Sequence, residues 1–146
     1  MVHINILPHV RPLFPFSSCE LKALVENAAY VFGWTLGDIE VLVVSDKEVA
    51  EKNLEFMGLP GPTNVLSFPL DMDPEAGVNG SMLLSAHAVQ REALLFGQKL
   101  RDYCLRMLMH SLLHLAGYEH GPAMEEMTEQ GIQEILRGSY GSSSDA

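Results

Sequence analysis

The stretch from Tyr103 to His120 constrains this chain more than any other. It reads Tyr-Cys-Leu-Arg-Met-Leu-Met-His-Ser-Leu-Leu-His-Leu-Ala-Gly-Tyr-Glu-His, and between Cys104 and Ala116 its only charged residue is Arg106. A helix apolar on nearly every face belongs in the middle of a domain. His110 and His114 are four residues apart, which places their side chains on one helical face within about 6 Å of each other. Gly117 supplies the left-handed residue on which helices stop, and His120 follows the turn. Three imidazoles can therefore converge.

The spacing His-x-x-x-His-x-x-Gly-x-x-His is the zinc-ligand spacing of metzincin peptidases with one letter changed. Those enzymes carry a glutamate general base after the first histidine. Here Ser111 stands in that place, and a hydroxyl is too weak a base to do the same work. Three neutral nitrogens leave a fourth tetrahedral position open, as in catalytic rather than structural zinc sites. The competing reading, two core histidines plus an unrelated loop histidine, leaves the glycine stop and the third histidine unexplained.

At 146 residues the chain suits one domain, able to bury about two thirds of its unfolded surface without disulfides or a structural metal. A metal here is expected to serve function. Cys19 and Cys104 form no C-x-x-C pair and read as reduced thiols. No basic leader precedes an apolar run and no stretch reaches membrane-spanning length, so a soluble, cytoplasmic protein without membrane partners is expected. The net charge of −10 argues against a broad phosphate-binding face, since that affinity comes from Lys and Arg. It leaves room for a local groove away from the acidic runs at Asp71 to Glu75 and Glu119 to Glu134.

In chain order, residues 2–7 suit a short strand before a Pro-rich turn. Ser17 with Glu20, and Ser45 with Glu48, have capping-box spacing, opening helices that stop at Gly33 and near Met57. Between them, Ile39 to Val44 is a β-branched strand. Thr63 to Phe68 is a strand expected to stop at Pro69, Asp71 to Gly80 an exposed loop, and Met82 to Leu84 a short strand. Ser85 caps a helix reaching Phe96. After the histidine helix, Pro122 opens a last helix ending at Arg137 before Gly138, which makes 1–137 the domain and 138–146 a flexible tail. The expected fold is α+β: about four strands in one sheet, about five helices, and the metal-ligand helix buried centrally across a sheet face.

Two stretches resemble the YbeY-type endoribonucleases of ribosomal RNA maturation and ribosome quality control. His110-Ser-Leu-Leu-His114-Leu-Ala-Gly117-Tyr-Glu-His120 is close to that family's His-Gly-x-Leu-His-Leu-x-Gly-Tyr-Asp-His, and Pro62-Thr-Asn-Val-Leu-Ser-Phe-Pro69 is similar to its strand beside the metal. The resemblance implies one zinc ion held by His110, His114 and His120, a single-stranded or ribosomal RNA substrate, and the ribosome or small-subunit proteins as partners. Thr63, Asn64 and Ser67 become candidate substrate contacts, with satisfaction of strand-end backbone as their alternative role. Glu119 is the candidate proton acceptor beside the third ligand, with a solvated turn residue as its alternative. His3, His9 and His87 lack ligand spacing and read as surface or structural groups, and Tyr118 reads as a packing residue.

The departures bear on catalysis. Met57 stands where the family carries arginine in a Tyr-Arg-Gly segment, which removes a bidentate phosphate clamp. Ser81 stands where the family carries an acidic residue. Weak nuclease activity is the expectation, with a zinc peptidase or a non-catalytic ribosome-associated metal-binding factor as the two other readings.

Overall fold

Serine caps start the helices where the sequence predicts them. In the computed structural model, which describes residues 1–61, 63–71 and 77–144, and at 70, 71 and 138–144 the backbone alone, Ser17 Oγ accepts from Glu20 N while the Glu20 carboxylate accepts from Ser17 N. Ser45 and Glu48 repeat this capping box. Each box satisfies two amide donors that a helix start leaves unpaired. The elements are β1 (Val2–Ile6), a 3-10 turn (Arg11–Leu13), α1 (Ser18–Phe32), β2 (Leu36–Val44), α2 (Asp46–Met57), β3 (Val65–Asp71), β4 (Val78–Ser85), α3 (Ala86–Leu95), α4 (Leu100–Leu115) and α5 (Pro122–Ser144).

The strands form one sheet in the order β1-β2-β4-β3, parallel except that β3 runs antiparallel to β4. Side chains alternate across it. Ile39, Val41, Val43, Met82 and Leu84 face the larger core, shared with α1, α4 and α5. Val44, Leu66 and Leu83 face the other side, where Val49 of α2 covers them. α4 packs on β3 and β4 between α3 and α5, with Leu108, Met109, Leu112 and Leu113 fully buried. The chain is thus a single α+β domain with the histidine helix at its centre.

Three boundaries differ from expectation. Pro69 lies inside β3 instead of ending it, because β3 is an edge strand and proline's missing amide need not reach a neighbour. The ends of the expected loop from Asp71 to Gly80 are strand: Asp71 closes β3, and Val78, Asn79 and Gly80 belong to β4, paired with β2 on one side and β3 on the other, while residues 72–76 lie outside the described residues. α5 continues through Gly138 to Ser144, beyond the expected end at Arg137. A helical glycine costs only about 1 kcal/mol, while each added residue brings a hydrogen bond. Residues 62, 145 and 146 also lie outside the described residues.

One glycine sets how closely α4 approaches the sheet. Gly80 has φ of 153°, and a Cβ there would stand 2.7 Å from Leu115 Cδ2 and 2.5 Å from the Phe68 carbonyl oxygen. The end of the histidine helix can rest on β4 only because that Cβ is missing. Among the described residues no helix is long and apolar enough to cross a membrane.

Candidate metal centre

α4 carries His110 and His114 on one face near its C-terminal end. Gly117, with φ of 99°, reverses the chain so that His120 returns to the same spot. The three imidazoles each offer a nitrogen, and these atoms all lie within 4.8 Å of one another. Ring centroids are separated by 4.7 Å (His110 to His114), 5.0 Å (His110 to His120) and 4.5 Å (His114 to His120). His110 Nε2 and His114 Nε2 are 3.2 Å apart. Two nitrogens at about 2.0–2.1 Å from a tetrahedral zinc stand about 3.3 Å apart, so the pair already has ligand spacing.

The tautomer supports the same arrangement. His114 Nδ1 lies 3.1 Å from the Tyr118 carbonyl oxygen and donates to it, leaving Nε2 with its lone pair toward the other rings. Burial, reinforced by the His114 and His120 rings, pushes the His110 imidazole down to about 4. His114 is lowered too, by burial and by His120, against an opposing pull from the Tyr118 carbonyl. Both rings are neutral at pH 7, the form in which imidazole binds a metal. His120 is exposed, so the group faces solvent on one side.

Ser111, next along the helix from His110, is fully buried, and its Oγ lies 2.6 Å from Ser67 Oγ of β3. It ties the ligand helix to the edge strand. The predicted substrate contacts are placed as follows. Ser67 makes that bond to Ser111. Asn64 donates through Nδ2 to Glu92 Oε1 at 3.0 Å and reaches Met107 Sδ at 3.4 Å, while its Oδ1 accepts from Val65 N at 2.7 Å. Thr63 is half-buried just before β3, and Glu119 is exposed beside His120. Glu92 also accepts from Tyr103 OH at 3.1 Å, and burial together with this carboxylate pushes the tyrosine up to about 12.

Sequence reasoning missed the Glu92–Asn64–Tyr103 bridge and the Ser67–Ser111 tie, since pairs so far apart in sequence leave no local signal. His9 Nε2 pairs with Glu48 at 2.8 Å and His87 Nδ1 accepts from Asp46 N at 3.3 Å, so both make polar contacts outside the trio. Tyr118 packs against the larger core. Met57, at the last position of α2, is exposed.

A cavity of about 390 Å³ opens beside the histidines. His110 and His120 line it from one side and Glu125 and Glu129 of α5 from the other, with Arg106 as its one lining cation among the described residues.

Known proteins resemble this chain over most of its length. The family model for Endoribonuclease YbeY matches residues 18–139. A protein of that name from Lawsonia intracellularis is 45% identical over 112 residues, covering 77% of this chain and 80% of that protein. Another, from Oleidesulfovibrio alaskensis, is 37% identical over 141 residues, covering 82% and 83%. A solution structure of a Thermotoga maritima protein superposes with a TM-score of 0.66 at 25% identity, covering 100% of this chain and 96% of that one. The matched span includes α1 to α4, the glycine turn and all three histidines, and the chain belongs to the YbeY endoribonuclease family.

Proposed function

We propose that this protein is a zinc-dependent endoribonuclease that cuts single-stranded RNA in ribosomal RNA maturation and ribosome quality control, with His110, His114 and His120 holding one zinc ion. Family membership makes the chain a hydrolase of RNA. The observation that carries the metal is the convergence of three imidazole nitrogens within 4.8 Å. Imidazoles serve several transition metals, and the open trio with a fourth side toward solvent favours zinc in its catalytic mode. Bound there, zinc supplies Lewis-acid polarisation of a phosphate oxygen and acidifies water.

The chain's own groups prepare that chemistry. The Tyr118 carbonyl orients the His114 ring, and burial keeps His110 unprotonated. Asn64, bonded to Glu92 of α3, and Ser67, bonded to Ser111 of α4, hold the edge of β3 against these helices, and we assign Thr63, half-buried just before the strand, to touch substrate through its hydroxyl. Glu119, exposed next to His120, is the carboxylate we assign to take a proton from the attacking group. A ribosome-bound partner, such as a small-subunit protein, belongs to the same reading.

The peptidase alternative needs a base at position 111. Ser111 is buried and bonded to Ser67, so it offers none. The test is parallel digestion of single-stranded RNA and casein, with chelator and after zinc is returned. RNA cleavage that chelation stops and zinc restores, with casein intact, is expected. Casein cleavage without RNA cleavage moves the site to peptidase chemistry, and neither reaction from metal-loaded protein leaves a non-catalytic factor.

A further inference from the structure

Arg106 is the one charged residue in the apolar stretch of α4, and it lies one helical turn before His110, on the same face. Its side chain is one third exposed and lines the cavity that His110 and His120 share. The guanidinium NH1 donates to Glu129 Oε1 of α5, on the far wall of that cavity. Its Nε is buried and has no hydrogen-bond partner among the described residues. A guanidinium presents its donors as a planar fork suited to two oxygens at once, and here the fork is only partly used. Glu129 is half exposed and gives up little by returning to water.

Resting on the RNA-cleaving reading above, we propose that Arg106 is the cation that grips an RNA phosphate beside the three histidines, and that Glu129 holds its guanidinium until RNA displaces the carboxylate. Phosphate matches the fork better than a single carboxylate oxygen does, because it can accept from two N–H groups together. The chain lacks a cation at Met57, and the cavity walls otherwise carry the carboxylates Glu125 and Glu129. An anionic substrate entering so acidic a cleft needs a local counter-charge, and Arg106 is the lining residue that provides one.

The experiment measures binding of a fluorescent, cleavage-resistant 2′-O-methyl single-stranded RNA to the full chain across salt concentrations. Arg106→Met keeps the apolar stem and removes the charge. It is expected to weaken binding at least tenfold and to make the log–log salt slope shallower by about 0.7, the contribution of one phosphate contact on a single strand. Arg106→Lys should keep the slope but bind several-fold more weakly than wild type. Glu129→Gln should tighten binding several-fold, and that gain should vanish in the Arg106→Met background. A merely structural tie between α4 and α5 would lower the urea midpoint of Arg106→Met while leaving affinity and slope unchanged, and that result overturns the proposal. A wild-type chain that binds no RNA overturns the ribonuclease reading as well, whereas unchanged affinity and slope in Arg106→Met overturn this proposal alone.

Discussion

Ser67 Oγ of the edge strand lies 2.6 Å from Ser111 Oγ of the ligand helix, one residue after His110. Ser111 is fully buried, so removing the Ser67 hydroxyl leaves Ser111 Oγ desolvated without its partner, whereas half-buried Ser67 loses its bond when Ser111 is truncated. Each single alanine substitution should cost about 1–3 kcal/mol, and the double variant less than the sum of the two. Urea unfolding of the four proteins checks this, and strict additivity would show that the two groups do not depend on each other.

The metal trio predicts about one zinc per chain. Elemental analysis should find it lost in His114→Ala, whereas the metal-free protein should stay folded, because the larger core is built from side chains of β1, β2, β4, α1, α4 and α5. Full zinc retention in that variant rejects the ligand assignment. Complete unfolding on chelation at neutral pH makes the site structural.

The lowered His110 and His114 values give a direction to acid sensitivity. In the unfolded chain these rings take up protons near the ordinary value of about 6.5, while in the folded metal-free protein His110 resists protonation down to about 4. The unfolded state then binds more protons, so this contribution to stability is present above about 6.5 and is lost as pH falls through that window. Urea midpoints from pH 7 to pH 4.5 should drop more steeply for wild type than for His110→Asn. Parallel curves would remove the histidine from the explanation.

Met57 is exposed at the end of α2, so an arginine fits there without repacking. Lys52, one turn earlier, is 3.5 Å from Glu55 and lies over the Phe56 ring, engaged with its own helix. One charge-assisted contact to a transition-state phosphate is worth about 2.7–4 kcal/mol. Met57→Arg should raise zinc-dependent RNA cleavage at least tenfold, with Met57→Leu near wild type, measured as initial rates at equal zinc occupancy. A fast wild type that gains nothing from Met57→Arg removes the assigned role of that position.

Gly80→Ala should destabilise the protein by about 1–3 kcal/mol or more, since its Cβ meets the Phe68 carbonyl and Leu115 at a φ unsuited to alanine. Because Leu115 follows His114 directly, zinc affinity should fall as well. A thermal midpoint and zinc titration equal to wild type would show that the helix has room to move.

What the sequence determined by itself was local. Capping serines, the stop glycines Gly33 and Gly58, the apolar centre of α4 and the i, i+4 histidines act over a turn or two, and these features came out where the chain predicts them, whereas α5 runs through the expected stop at Gly138. The convergence of the three histidines was legible for the same reason, since eleven residues and one glycine turn suffice to close it. Three features were decided only by the tertiary structure. Pro69 could sit inside a strand because β3 became an edge. Gly80 could join β4 because β2 and β3 paired on either side of it. Arg106, conspicuous as a lone charge in the sequence, gained its setting only when α5 brought Glu129 across the cavity. Such outcomes depend on which elements become neighbours, and that is set by how the whole chain buries its apolar faces at once rather than by any window of residues.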